Sequence, residues 1–158
     1  MQGVQIREFE PGDQSAARKL ILEGLGEHFG YIDEACNPDL DDIMAYYIVP
    51  GHIFLVATLG ENLVGTGGLV LQDESCARIV RVSVRRDSRR RGIGRALVMR
   101  LIAVGRERQV ARIWVETNED WHAAINLYHR CGFREYERQD GCVYMELNLS
   151  RDSDSAVA

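Results

Sequence analysis

The sequence predicts a mixed α/β fold in one domain, and three observations carry that prediction. Seven short runs rich in apolar and β-branched residues punctuate the chain, most of them bounded by Gly, Asn or Asp. Four intervening stretches repeat apolar residues at helical spacing. Near the middle a strand, a helix and another strand follow one another closely, the pattern of a βαβ unit.

At 158 residues the chain suits one domain, large enough to bury roughly two-thirds of its unfolded surface. The domain is expected over residues 1–150, and the small, polar tail 151–158 is expected to be disordered.

The elements follow in order. Val4 to Phe9 alternates apolar and polar residues as a half-buried strand does. Asp13 is set to cap a helix through Ala16, Ala17, Leu20, Ile21 and Leu25, which Gly26 or Gly30 ends. Asn37-Pro38-Asp39 reads as a turn, and Asp39 opens a second short helix through Ile43, Tyr46 and Tyr47 to Pro50. His52 to Leu59 is apolar and β-branched, a buried strand, and Gly60-Glu61-Asn62 turns it into Leu63 to Leu71. Ala77 to Val84 is the fourth strand. The next helix runs from about Gly92 to Arg106, with Ala96, Leu97, Leu101 and Ile102 on one face. Ala111 to Glu116 is a strand, and Asp120 to Arg130 a helix closed by Cys131-Gly132. Phe133 to Arg138 and Cys142 to Leu149 form a hairpin around Asp140-Gly141. The alternating strand Cys142 to Leu147 is expected to present an edge through which two copies pair as a homodimer.

Composition removes several classes. No apolar run approaches the ~20 residues that span a bilayer, so no membrane association is expected. Met1 to Pro11 lacks the basic start and apolar stretch of a signal peptide, which makes the cytoplasm the expected location. Cys36, Cys76, Cys131 and Cys142 form no C-x-x-C pair and have no His at zinc-finger spacing. Reduced thiols are expected, and no metal.

A net charge of −5 argues against nucleic-acid partners. Yet six arginines (Arg85, Arg86, Arg89, Arg90, Arg91 and Arg95) fall within eleven residues. A local cation cluster on an acidic chain points to a discrete anionic ligand. It lies where the fourth strand hands over to a helix, whose first N–H groups lack internal partners and carry partial positive charge. Gly92 and Gly94 allow close backbone approach, and the guanidinium groups add forked donors. Together these form a cradle for a pyrophosphate. The plainer alternatives are a solvated face, preferred for Arg85, Arg86 and Arg100, and glycines that merely shape the turn. A Walker-type loop is absent, and Gly92-Ile93-Gly94 lacks the third glycine of a dinucleotide fingerprint.

The run Arg89-x-x-Gly92-x-Gly94 resembles the Arg/Gln-x-x-Gly-x-Gly/Ala signature of the GNAT N-acetyltransferase superfamily. Val80 to Val84 is similar to that family's fourth strand. Glu116-Thr117-Asn118 and Ala124 to Phe133, with Leu127-Tyr128-x-x-Cys131-Gly132-Phe133, resemble its fifth strand and following helix. The resemblance spans about Val4 to Leu149 and is specific from Val80 to Phe133.

It implies strands four and five that splay apart to receive the pantetheine arm of acetyl-CoA, the cosubstrate. Carried over by position, the arm would contact Val82, Ser83 and Val84. The pyrophosphate would contact Arg89, Arg90, Arg91, Gly92, Ile93, Gly94 and Arg95. The implied reaction is direct attack of a primary amine, on a small molecule or peptide, at the thioester carbonyl. Tyr128 matches the family tyrosine that protonates the departing thiolate; its plainer reading is a tyrosine packed on the sheet. Two positions depart from the family. Arg78 stands where many relatives have an acidic general base, and Trp121 where many have an asparagine that contacts the arm, with Asn118 a nearby candidate for that task. The base is left open among Glu116, Glu27 and Glu34. The acceptor would meet the segment between the first two strands, which includes Glu27, His28, Phe29, Tyr31, Asp33, Glu34, Asp39, Asp41, Asp42, Tyr46 and Tyr47. Those carboxylates and aromatics read either as a seat for a cationic amine or as a solvated face. His122 and His129 read as surface residues. The other functional class compatible with these residues is a non-catalytic acyl-CoA sensor or interaction module.

Overall fold

The computed structural model describes residues 3–30 and 37–149. The expectations for Tyr31, Asp33, Glu34, Cys36 and the tail lie outside those residues. The strands are β1 (Val4–Glu8), β2 (Ile53–Leu59), β3 (Asn62–Leu71), β4 (Cys76–Val84), β5 (Arg112–Asn118), β6 (Arg134–Gln139) and β7 (Cys142–Asn148). They form one sheet in the order β1-β2-β3-β4-β5-β7-β6. Every neighbouring pair is antiparallel except β4–β5, which the βαβ pattern requires to be parallel.

Two cores flank the first half of the sheet. On one face α2 (Ile93–Glu107) and α3 (His122–Arg130) bury Leu97, Leu101, Ile102 and Ile125 against Leu55, Ala57, Ile79 and Ile113. On the other, α1 (Gln14–Phe29) buries Leu20 and Ile21 with Leu40, Ile43, Phe54 and Val56. β2 contributes alternate residues to both cores, and this explains its unbroken apolar run. β3 lets α2 settle closely, since a Cβ on Gly65 would come within 3.0 Å of Leu97.

Beyond β4 the pattern changes. In β5, Ile113, Val115 and Thr117 are buried while Trp114, Glu116 and Asn118 are half-exposed. That alternation marks a strand covered on one face only.

Three expectations need correction. The second short helix is replaced by a 3-10 turn (Pro38–Asp41) and a π-helical turn (Met44–Ile48). The Gln14 side chain takes the backbone groups a continuous helix would have used, donating to Leu40 O at 2.6 Å and accepting from Ile43 N at 3.0 Å. Asp13 precedes α1 without capping it, because its carboxylate turns back to Arg7 and the Glu10 amide. β7 is no edge: it pairs with β5 on one side and β6 on the other, so the sheet ends at β1 and β6. The buried–exposed alternation that suggested an edge comes from one-sided covering.

Candidate active site

The β4–β5 pairing is brief. It covers Cys76↔Arg112, Ala77↔Ile113 and Arg78↔Trp114, and then stops. From Ile79 to Val84, and from Val115 to Asn118, the strands run apart. A bulge helps turn β4 away. Thr66 faces Ser83 but Gly68 faces Val80, so β4 holds one residue too many, and Arg81 takes a left-handed φ of 54°. Bulges bend a strand and increase its twist.

That conformation costs a non-glycine residue about 1–2 kcal/mol, and side chains fix it from both directions. The fully buried Thr66 donates to Arg81 O at 2.8 Å. The Arg81 guanidinium donates to Asp39 at 2.7 and 3.0 Å and to Asn37 Oδ1 at 3.0 Å. Tyr47 donates its hydroxyl to the same carboxylate. Burial works to raise the Asp39 pKa, but the bonds from Arg81 and Tyr47 prevail and hold it below the ordinary aspartate value.

At the far end of β4 the chain enters the arginine loop. Arg85 N makes a last sheet-like bond to Val64 O, and a short turn covers Arg86–Ser88. Arg90 and Gly92 are both left-handed, at φ 64° and 79°. Gly92 precedes α2, whose opening amides have no side-chain cap. Ile93 keeps its side chain in the core, which leaves its backbone as the part able to face a ligand. Gly94 has neither a positive φ nor a crowded site, since a Cβ there would meet only Leu127 and Val84 at 3.5 and 3.6 Å. Nothing in the fold demands glycine at 94, whereas close approach of a ligand would.

The arginines divide. Arg89 is committed, donating to Val84 O at 2.9 Å and forking onto Glu27 of α1 at 2.7 and 3.3 Å. Arg85 holds Asp87 at 2.6 Å. Arg90, Arg91 and Arg95 are exposed around the start of α2. A cavity of about 500 Å³ lies between α1 and this loop, with Leu20, Glu23, Glu27, Val84, Arg85 and Arg89 in its wall. α1 crosses β4 near Ser83, where a Cβ on Gly24 would lie 3.0 Å from the serine oxygen. Val82, Ser83 and Val84 thus lie in the part of β4 that β5 does not pair.

Tyr128 is buried, its ring 5.6 Å edge-on from Phe133. Its hydroxyl makes no hydrogen bond among the described residues. Burial, with a smaller contribution from Cys131, pushes the phenol well above its usual pKa, so it stays protonated at neutral pH.

Of the base candidates, Glu27 is occupied by Arg89, and Glu34 lies outside the described residues. Glu116 meets Arg78 at 3.0 Å where the strands part. Asn118, a candidate for the arm contact, has its Oδ1 engaged by the Asp120 amide at 2.9 Å. Trp121 stacks on His28 of α1 at 4.3 Å, joining the β5 side of the gap to the helix above β4. Sequence reasoning missed the bulge and its Asp39–Arg81 anchor, because residues 42 positions apart carry no local sign of contact.

The match to known proteins agrees with this geometry. The family model described as the Acetyltransferase (GNAT) family matches residues 19–133. The chain belongs to the GNAT acetyltransferase family. An N-acetylaspartate synthetase from Rattus norvegicus is 30% identical over 136 residues, covering 85% of this chain but 43% of that protein. The chain therefore spans less than half the length of that relative. An acetyltransferase of the GNAT family from Staphylococcus aureus Mu50 superposes with a TM-score of 0.83 at 25% identity, covering 92% of this chain and 99% of that one. An N-acetyltransferase from Thermoplasma acidophilum, solved in complex with coenzyme A, shares the fold with a TM-score of 0.82 at 15% identity, over 92% and 99% of the two chains.

Proposed function

We propose that this GNAT chain is an acetyl-CoA-dependent N-acetyltransferase that passes an acetyl group directly to a primary amine of a small molecule or peptide. One observation carries the reading. β4 runs unpaired with β5 from Ile79 to Val84, and the chain continues into an arginine- and glycine-rich loop and a helix whose first amides are uncapped. An extended arm fits along a free strand edge, and a pyrophosphate fits a helix start. The coenzyme A held by the Thermoplasma relative and the N-acetylated product named for the rat relative support both halves of the reading.

Acetyl-CoA would supply an activated thioester carbonyl. The chain's residues do the rest. The amides of Ile93, Gly94 and Arg95, with the charges of Arg90, Arg91 and Arg95, receive the pyrophosphate. Val82, Ser83 and Val84 offer backbone groups to the arm. Unpaired β4 amides beside the Arg81 bulge are the donors available to a developing oxyanion. Glu116 accepts a proton from the attacking amine, and Tyr128 gives its own to the departing sulfur. The C–N bond forms, the C–S bond breaks, and the proton lost by nitrogen balances the one gained by sulfur.

One observation favours a second reading, a non-catalytic acyl-CoA sensor: β4 carries Arg78, not a carboxylate, at the mouth of the gap. Glu116 across the gap answers it. Free-thiol release from acetyl-CoA, measured over polyamines, amino acids, aminoglycosides and peptide N-termini, decides between them. Release with at least one amine supports the enzyme. Binding of acetyl-CoA with no release from any amine supports the sensor.

A further inference from the structure

Where the gap between β4 and β5 begins, two opposite charges stand side by side. Arg78 is the last β4 residue paired with β5, and Glu116 lies two residues past its partner Trp114. Their side chains meet at 3.0 Å, each about one-third exposed, at 34% and 33%. They lie on the sheet face opposite α2 and α3, because the intervening Val115 points into that core.

The arginine is only partly used. Nη2 donates to Glu116, and the guanidinium lies 4.7 Å over Trp114, but Nε is buried with no partner among the described residues. A buried donor left unsatisfied is costly, and an oxygen brought by a ligand would relieve it. On the other side of Glu116, the Tyr144 phenol is pushed up to about 12, chiefly by that neighbouring carboxylate.

Among the described residues, three carboxylates that would suit a polycation are engaged by arginines: Asp39 by Arg81, Asp41 by Arg18 and Glu27 by Arg89. Where β4 and β5 part, one cation and one anion stand side by side.

We propose that Arg78 and Glu116 recognise the acceptor and that the acceptor is a free amino acid, an amine with a carboxylate close to it. The inference rests on the acetyltransferase reading. The incoming carboxylate takes the place of Glu116 on Arg78 and fills the open Nε donor, while the ammonium takes the place of Arg78 on Glu116. Each half-buried charge exchanges one partner for another, so neither is left unpaired. A forked guanidinium–carboxylate contact adds direction as well as attraction. Glu116 then already holds the nitrogen: one ammonium proton passes to solvent before attack, and the proton that nitrogen loses as the C–N bond forms goes to Glu116. A polyamine has nothing to offer Arg78, and a peptide N-terminus has an amide where the carboxylate should be.

The test compares free amino acids with their own amides, alongside spermidine, by thiol release from acetyl-CoA. Binding of the same amino acids to the protein–CoA complex is followed by ligand-observed NMR. The free acids are expected to exceed their amides in kcat/KM by about 10- to 100-fold, the worth of a charge-assisted hydrogen bond or two. Arg78→Gln should collapse that ratio towards one without moving acetyl-CoA affinity, and Arg78→Lys should restore part of it. Equal turnover of acids and amides, or faster turnover of spermidine, overturns the proposal while leaving the acetyltransferase reading intact. Arg78-dependent binding of amino acids with no thiol release supports the site and overturns the activity. A complex that binds no amino acid, or binds it equally well with Gln at 78, overturns the site.

Discussion

On one side of the β4–β5 gap, β1 to β4 are clasped between α1 and α2, and Phe54 and Val56 are as deeply buried as Ala57 and Val64 on the opposite face. On the other side, β5 and β7 have a core on one face, and with the fully exposed β6 they carry a row of Trp114, Tyr144 and Tyr136 on the other, centroids 6.2–6.4 Å apart. The first side spends its residues on burial; the second leaves charged and aromatic groups where a ligand can reach them. The gap lies at the seam, so a wall covered on both faces meets one covered on a single face. Substitutions on the two sides should fail differently.

The largest effect expected is on chemistry, at Tyr128 of α3. Tyr128→Phe should lower kcat by about 10²–10⁴-fold, the usual worth of general acid catalysis. Since the hydroxyl has no hydrogen-bond partner among the described residues, the melting temperature should barely move. Turnover at the parent rate would make Tyr128 a packing residue and leave the second side without its acid.

Next comes stability on the clasped side. Phe54 is fully buried against Phe9 and Tyr47, so Phe54→Ala should cost about 3–5 kcal/mol in chemical denaturation. Trp114→Ala, on the open face, should cost clearly less. Equal losses would erase the distinction between the two sides.

The bulge anchor should show its own pH signature. Asp39 has a folded pKa below its unfolded value, so its contribution is present above the ordinary carboxylate range and is lost as pH falls through the folded pKa. Asp39→Asn should therefore destabilise by about 1–3 kcal/mol at pH 7. The gap between variant and parent should close as pH falls from the ordinary aspartate range through the lower folded pKa. A difference that stays constant with pH would detach the bulge from this ion pair.

The smallest effect belongs to Gly94. An alanine methyl meets only ordinary contacts there, so Gly94→Ala should leave stability within about 0.5 kcal/mol of the parent. Any larger loss would mean that the turn itself needs the glycine.

Much of this was legible in the sequence. β5, β7, α2 and α3 follow from periodicity, because each buries a regular face, whereas β2 shows as an unbroken apolar run and β6 shows only through the turn at Asp140-Gly141. The loop was legible because its residues are contiguous. Residues 37–50 were not, since Gln14 satisfies Leu40 and Ile43 from a distant helix and dissolves the helix that their spacing suggested. The position of β7 was hidden for a related reason: alternation reports that one face is covered and says nothing of what pairs alongside. Arg78 and Glu116 stood in the sequence as a departure and a bare candidate. Only the parting of β4 from β5 brings them together at 3.0 Å.

Thermal melting with and without saturating acetyl-CoA, on the parent and on Gly94→Glu, tests the central claim most directly. A ligand that binds only the folded chain raises its stability by about 2.7 kcal/mol at a hundredfold excess over Kd. The parent should melt several degrees higher with acetyl-CoA, and Gly94→Glu should fold yet show no shift, because its side chain brings bulk and negative charge to the pyrophosphate seat. A parent whose melting temperature is unmoved by acetyl-CoA would contradict the account.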